Sequence, residues 1–460
     1  MANTYLSRTP AVAGNRQIFT FSFWTKISNV TSRIATYNWG NSTGSPSSGD
    51  GNIFFNQGSD QSLVVSCGGG VDINVVTNQR FRDTSAWYHI VIAFDTTQAT
   101  ASNRVKVYIN GIQVTSFSAT SYPAQNYNLN VTNTSIQRLG TGYDGGITYY
   151  YDGSMASFYL IDGTALTPSS FGETDATTGI WKPKSYTGSF GTNGFFLKFE
   201  NSGSLGTDSS GNGHNFTIGG GTPTQTIDTP SNVFATMNPL YQSVFGGSSA
   251  ILTNGNTKWT GTSNGTSQNA TLGTLGVNTG KWYWEVKGNM IYDCLLGIAK
   301  SNFDPNGGSG GLQNSGWWGL VTNVSATGGA GLKFVVDNTL GSSTGTTLSN
   351  GDIINIALDA TNLKFYIGKN GTWLNSGVPT SGATGTGSIA TLPTDTTFLP
   401  ACSNYGYTTA NSWEFNFGNG VFGTTAIASP YSDGAGLGKF QYAVPAGYYS
   451  LCTKNINSQG

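Results

Sequence analysis

Charge is what this chain has least of. Lys+Arg number 21 and Asp+Glu 22 in 460 residues, 9% of the chain, against roughly 25% in ordinary globular proteins. The net charge of −1 lacks the electrostatic footprint of a nucleic-acid binder. Glutamate is scarcer still. Only Glu173, Glu200, Glu285 and Glu414 occur, and no two are close in sequence. A glycoside hydrolase needs two carboxylates flanking the scissile bond, and these four do not supply the usual Glu-x-Asp-x-x-Glu strand. His89 and His214 are the two histidines, and neither stands near a Cys or a Gly-x-Ser-x-Gly elbow. Cys67, Cys294, Cys402 and Cys452 are far apart and form no CxxC. That argues against a zinc site or a disulfide framework and for buried free thiols. No apolar run approaches the length of a membrane helix. The N-terminus lacks the charged and apolar regions of a signal peptide, so synthesis in a cytoplasm without a leader is expected. Heptads and phosphate-binding glycine loops are also missing.

Glycine, at 65 residues, and aromatics, at 13%, are plentiful. Scarce charge with abundant aromatics is the reverse of the disorder signature. Short alternating or apolar runs bounded by Gly, Asn, Ser and Thr read as strands. Phe19, Phe21 and Phe23 alternate with Thr20 and Ser22. His89 to Phe94 is a continuous apolar run. Arg104 to Ile109 runs into Asn110-Gly111, and Ile112 and Val114 follow. Asn-Gly between such segments is a strong hairpin signal, because both central residues of a type I′ turn take positive φ. The second half repeats the plan. Ile353 to Leu358 is apolar, Leu363 to Ile367 follows, and Asn370-Gly371 turns the chain back. In each half an apolar strand ends in Asp (Asp95, Asp359), and a Lys-aromatic strand and Asn-Gly come next. Shared ancestry and the ordinary meander of any antiparallel sandwich both account for the echo. The fold class read from these runs is all-β: two antiparallel, jelly-roll-like β-sandwiches in tandem with a short C-terminal extension.

Trp87-Tyr88-His89 through Asp95, with Val107-Tyr108-Ile109-Asn110-Gly111, resembles the concanavalin A-like, laminin-G-type jelly roll over residues 1–240. Asp208-Ser-Ser-Gly-Asn-Gly-His214 resembles a segment of the same family. Gly280 to Val286, Leu296 to Ala299, Gly351 to Asp359 and Phe398 to Ala401 are similar to the strands of a SPRY (B30.2-like) domain over 255–425. Residues 241–254, with Gly246-Gly247-Ser248-Ser249, read as a linker. Residues 426–460 are expected to pack on the second domain or on a partner. The combination, with Thr229 to Pro239 as bridge and Gly447 to Asn455 as tail, resembles structural proteins of tailed phages infecting marine bacteria. That resemblance implies a non-enzymatic virion surface protein, first a tail-fibre or receptor-binding adhesin recognising host surface glycan. The alternative is a capsid or tail decoration protein, and a glycan-degrading enzyme ranks last. Implied partners are other virion proteins, host glycan and further copies of the chain, as a trimer if it is a fibre. Nucleic acid and membrane insertion are not expected. The implied location is the exterior of a tail or capsid.

Sugar recognition suits aromatic faces beside Asn, Asp and backbone polar groups. Tyr143, Asp144, Tyr149 and Tyr151 in one loop have that chemistry, as do Trp317, Trp318, Asn404, Tyr405 and Tyr407 near strand ends. Core packing is the competing reading for each aromatic, and a strand would send Tyr149 and Tyr150 to opposite faces. No cofactor is expected. The one weighed is Ca2+, with Asp208 and Asn212 as oxygen ligands, against an Asx turn built by the same residues.

Overall fold

The computed structural model describes residues 3–40, 47–55, 60–144, 146–243, 249–261, 269–289, 294–305, 315–322, 331–404 and 411–460. The chain forms two compact units, 1–225 with 229–231 and 226–228 with 232–460. The division lies before the boundary at 240 expected from sequence. Met237–Gln242 is an edge strand of the second unit, so pairing there claims a segment whose composition suggested the end of a domain. Ile251–Thr253, inside the expected linker, also pairs in a sheet.

Eleven strands build the frame of the first unit. They are β1 (Tyr5–Arg8), β2 (Ile18–Ile27), β3 (Ile34–Trp39), β4 (Gly51–Phe55), β5 (Leu63–Cys67), β6 (Ile73–Thr77), β7 (Tyr88–Asp95), β8 (Val105–Ile109), β9 (Ile112–Gln113), β10 (Gln137–Leu139) and β11 (Gly153–Asp162). One sheet runs β6-β5-β4-β3-β10-β1, with Phe117–Ser121 and Thr217–Gly219 added at its two edges. The other runs β11-β2-β7-β8-β9, with Phe195–Leu197 beside β11. Alternation decides what each face buries. Phe19, Phe21 and Phe23 from β2, Ile90, Ile92 and Phe94 from β7, and Tyr37, Trp39, Ile53 and Phe55 from the facing sheet fill one core.

The second unit repeats this frame strand for strand. Its strands are β12 (Ala270–Gly273), β13 (Lys281–Asn289), β14 (Cys294–Lys300), β15 (Trp317–Val321), β16 (Lys333–Val336), β17 (Thr339–Ser343), β18 (Ile353–Asp359), β19 (Lys364–Lys369), β20 (Thr372–Trp373), β21 (Phe398–Asn404) and β22 (Ser412–Asn416). Its sheets run β17-β16-β15-β14-β21-β12 and β22-β13-β18-β19-β20. Adding eleven to each label of the first unit reproduces both orders. Within these frames every pairing is antiparallel. Trp259, Trp282, Trp284, Trp318 and Trp413 anchor the second core.

The echo read in the sequence is a detailed one. Asn110 and Asn370 have φ of 48° and 49°, and Gly111 and Gly371 have 84° and 81°, as a type I′ turn requires. Each Asn side chain accepts the backbone N–H that opens the preceding apolar strand: His89 N to Asn110 Oδ1 and Ile353 N to Asn370 Oδ1, both 2.8 Å. An aromatic ring lies over each glycine, Trp181 on Gly111 and Tyr442 on Gly371, where a Cβ would meet the ring at 3.0 and 2.7 Å.

The C-terminal segment packs on the second unit. Tyr449–Ser450 pairs in parallel with β13. Phe440 and Tyr448 cover Tyr283 and Tyr366 on the outer face of its sheet. Glu285 on β13 is fully buried. Its carboxylate accepts Gln441 N and Tyr442 N at 2.8 Å, the Tyr283 hydroxyl at 3.0 Å and the Asn416 amide at 3.3 Å. Asp433 likewise accepts Leu437 N, Ser450 N and the Asn455 amide, each at 2.9 Å.

Candidate functional site

In the first unit a hairpin of Thr141–Asp144 and Ile147–Tyr150 lies on the outer face of the eight-stranded sheet. Glycine at 142 permits this close approach. A Cβ there would stand 2.8 Å from Ala35 Cβ and 2.7 Å from Asn52 Oδ1. The Asn52 amide grips the hairpin backbone at Tyr143, donating to its carbonyl at 2.9 Å and accepting its N–H at 3.2 Å. Cross-strand pairing puts Gly142, Asp144, Ile147 and Tyr149 on one side and Thr141, Tyr143, Thr148 and Tyr150 on the other.

An arginine supports each side. The Arg33 guanidinium sits 4.6 Å from the Phe54 ring and 4.8 Å from the Tyr149 ring, and it pairs with the Asp144 carboxylate. Arg138, 7% exposed, donates to Asn38 Oδ1 at 2.8 Å and to Gly40 O at 3.2 Å. It lies 5.0 Å from the Tyr143 ring. Both tyrosines are thus oriented by cation–π contacts while remaining half-exposed. Ile147, at the tip, is 55% exposed.

Two rows of side chains cross the same sheet face. Ala35, Phe54, Val64, Val76 and Ala119 form an apolar row, and Tyr149 packs against it. Beside it Arg138 faces Asn38, Asn38 faces Asn52, and Asn52 faces Ser66. Ser66 faces Asn74, and Asn74 faces Ser121. Directly opposed residues share a face, so this is a ladder of amides and hydroxyls running across the strands and ending on the Arg138 guanidinium. Its Arg138, Asn38 and Asn52 rungs are buried, whereas Ser66, Asn74 and Ser121 are half-exposed.

The structure places Tyr143, Asp144 and Tyr149 in one hairpin, Asp144 and Tyr149 on one side and Tyr143 on the other, and gives Tyr151 another role. The half-buried Tyr151 accepts from or donates to Thr25 Oγ1 at 2.5 Å and reaches Ser154 O at 2.8 Å, bracing β11 against β2. Trp317 and Trp318, each 3% exposed, are core residues. Both faces of β15 are covered, so alternation there sends each side chain into apolar packing. Asn404 is 1% exposed, and its Oδ1 accepts Asn269 N at 2.9 Å. Tyr405 and Tyr407 lie outside the described residues. Arg33, Arg138 and the ladder were missed because their meaning lies in cross-strand register. The only signal is a single Asn or Ser in each of the otherwise mostly apolar segments β3 to β6, at Asn38, Asn52, Ser66 and Asn74.

The Asp208 loop saturates itself. Asp208 Oδ1 accepts Phe196 N at 2.9 Å and Ser210 N at 2.8 Å, and Oδ2 accepts Ser210 Oγ and His214 N, both at 2.8 Å. Burial pushes its carboxyl pKa up, but these bonds outweigh burial and hold it below the ordinary value. Asn212 donates to the carbonyls of Gly191 and Gly194, both at 2.9 Å. The pair builds the Asx-type turn weighed against Ca2+ above. Among the described residues no group of three or more His, Cys, Asp or Glu converges on a metal position.

His89 and Ser22 form a contact of 2.9 Å that resembles a catalytic pair. The hydrogen-bond inventory gives it the opposite polarity. The Trp181 indole N–H only donates, and it reaches His89 Nδ1 at 2.9 Å. The ring proton must then sit on Nε2 and point at Ser22 Oγ, so no lone pair is left to take the serine proton. Trp24 stacks on the ring at 4.7 Å, and burial lowers its pKa to about 3. The glutamates are engaged as well. Glu285 holds the C-terminal segment, and Glu173, Glu200 and Glu414 each lie 3.5 Å from a lysine.

Residues 2–172 match the family model of the concanavalin A-like lectin/glucanases superfamily, laminin G type. No curated protein matches the chain. Among solved structures, the SPRY domain of human HERC1 is 15% identical, covering 39% of this chain and 96% of that one with a TM-score of 0.28. The PSpry domain of TRIM65 is 11% identical, covering 40% of this chain and 91% of that one, also at 0.28. The all-β, antiparallel class expected from sequence is the one observed. No helix among the described residues is long and apolar enough to cross a membrane.

Proposed function

We propose that this chain binds carbohydrate without cleaving it, and that it does so as an adhesin on the exterior of a tailed phage. The observation that carries the reading is the hairpin site: two half-exposed tyrosines, one on each side of the hairpin and each oriented by an arginine, in a region similar to the lectin/glucanases superfamily. An aromatic face stacked on the C–H patch of a pyranose, with amides nearby, is the usual chemistry of sugar recognition. The non-catalytic part rests on His89, whose proton points the wrong way, and on glutamates engaged in structural contacts. The virion setting rests on the resemblance of the bridge and tail to phage structural proteins. In that setting the partners are host surface glycan, other virion proteins and further copies of the chain.

Incubation of the purified protein with host cells and envelope polysaccharide tests the reading. Retention on cells with polysaccharide of unchanged length is expected. Tyr143→Ala, with its melting temperature checked, should lower retention about tenfold or more. Shortened product would overturn the non-enzymatic part, and absence of retention would overturn the adhesin. Electron microscopy of labelled particles separates a tail location from a capsid decoration.

A further inference from the structure

The two Asn-Gly turns of the shared frame differ at the atoms that asparagine chemistry uses. At the second turn Gly371 N donates to Asn355 Oδ1 at 2.8 Å, and Asn370 Nδ2 donates to Asp352 Oδ1 at 2.7 Å. At the first turn neither Gly111 N nor Asn110 Nδ2 makes a hydrogen bond among the described residues. The frame accounts for the difference. Counted from the paired positions His89 and Ile353, Asn355 is matched by Val91 and Asp352 by Tyr88. Valine offers Gly111 no acceptor, and no carboxylate stands in the place of Asp352. We infer that Asn110-Gly111 is a self-modifying site, at which the exposed asparagine loses its amide through a cyclic imide, while the second turn resists the same reaction.

The Gly111 amide gives up its proton to base, and its nitrogen attacks Asn110 Cγ. The new N–C bond closes a succinimide as the Cγ–Nδ2 bond breaks, and Nδ2 leaves as ammonia with a proton from solvent. Water then adds at one of the two ring carbonyls and opens the ring to aspartate or isoaspartate. Either product adds a negative charge to the first unit, and isoaspartate reroutes the main chain through Cγ. Glycine leaves the attacking nitrogen unshielded. The His89 N–H on Asn110 Oδ1 stabilises negative charge as it develops on that oxygen, and Ile353 N does the same at Asn370, so this assistance is common to both turns. Gly371 N–H must leave Asn355 before it ionises, and the Asn370 amide must leave Asp352 before it departs. The other described Asn-Gly pairs sort by the same rule. Gly351 N donates to Gly288 O and Gly420 N to Asn416 Oδ1. Asn193 and Asn212 each donate their amides to two carbonyls. Asn254-Gly255, whose amide and glycine N–H make no such bond among the described residues, joins Asn110 as reactive.

Peptide mapping of the full chain by mass spectrometry, after incubation in mildly alkaline buffer and with isoaspartate separated by chromatography, tests this. In the folded chain Asn110 should convert about tenfold or more faster than Asn370, because two hydrogen bonds must break at the second turn. In denaturant the two should convert at similar rates, which separates structure from local sequence. Asn355→Val and Asp352→Ala should each raise the Asn370 rate about threefold or more, toward that of Asn110. Circular dichroism checks that each variant folds. Asp352→Ala carries the test if Asn355→Val, which also removes a bond to the Tyr283 hydroxyl, does not fold. Equal rates in the folded chain, a difference that survives denaturation, or folded variants in which Asn370 stays as slow as in the parent would overturn the inference.

Discussion

The two units close the same sheet in different ways. In the first, residues of the 163–192 segment, Leu166, Phe171, Tyr186 and Phe190, cover the outer face of the β11-β2-β7-β8-β9 sheet. Ser22, His89 and Trp181 link that cover to the strands. In the second, Phe440, Val444 and Tyr448 cover the equivalent sheet, and Glu285 pins them. Ser22 faces Val91 and Glu285 faces Asn355. His89 and Ile353 hold the same place at the Asn-Gly turns, and Val91 and Asn355 each lie two residues on. Ser22 and Glu285 therefore occupy one position of the shared frame. A neutral chain of side chains does in one unit what a buried carboxylate does in the other. The frame constrains where the cover is anchored and leaves the chemistry of the anchor free.

Removing the anchors should affect the units unequally. Glu285→Ala leaves the Gln441 and Tyr442 N–H groups and the Asn416 amide facing a void. A loss of about 3–5 kcal/mol is expected in the second unit, with the first unit's unfolding transition unmoved in calorimetry. Coupled loss of both transitions would break the picture of two separate units.

Acid should separate them next. The unfolded chain takes a proton at His89 near 6.5, but the folded imidazole resists it to about 3. Stability of the first unit is therefore present above 6.5 and lost as pH falls toward 3, by on the order of 5 kcal/mol. The second unit has no histidine. Burial of Glu285 outweighs its hydrogen bonds and raises its carboxyl pKa above 4.5. That contribution is fully present below 4.5 and lost as pH rises through the folded value, so acidification restores it. Chemical denaturation at pH 7 and pH 5 should show the first transition weakening and the second holding or strengthening. Parallel weakening of both would remove the contrast.

Trp181→Ala should cost the first unit about 2–3 kcal/mol, through lost packing and an unpartnered His89 Nδ1, and should raise the His89 pKa followed by NMR. Gly111→Ala and Gly371→Ala are the smallest changes and the most direct check on equivalence. Each forces a Cβ into positive φ against an aromatic ring, at about 1–2 kcal/mol in its own unit. Costs that differ severalfold would mean the two turns are not equivalent.

Much of this frame is readable in the chain itself. Alternation at Phe19, Phe21 and Phe23, the apolar runs ending at Asp95 and Asp359, and the two Asn-Gly turns mark strands whose signal is local. The strand-for-strand match is not readable, because β10 and β21 enter their sheets through partners roughly a hundred residues away. The candidate site divides along the same line. Tyr143, Asp144 and Tyr149 stand close in sequence and meet in one hairpin. Trp317 and Trp318 have similar sequence surroundings, but a second covered face buries them. Arg33 and Arg138 acquire their role only when three strands align, and Glu285 reads as a surface strand residue until the C-terminal segment folds over it.

That last dependence sets an order of events during synthesis. Glu285 is 156 residues from Gln441, so its partners leave the ribosome about 8–30 s after it does, at roughly 5–20 residues per second. Trp181 follows His89 by only 92 residues. The first sandwich has all its parts while the second is still being made. Through that interval the Glu285 carboxylate lacks its two backbone donors, so water must serve in their place on a sheet face that ends up dry.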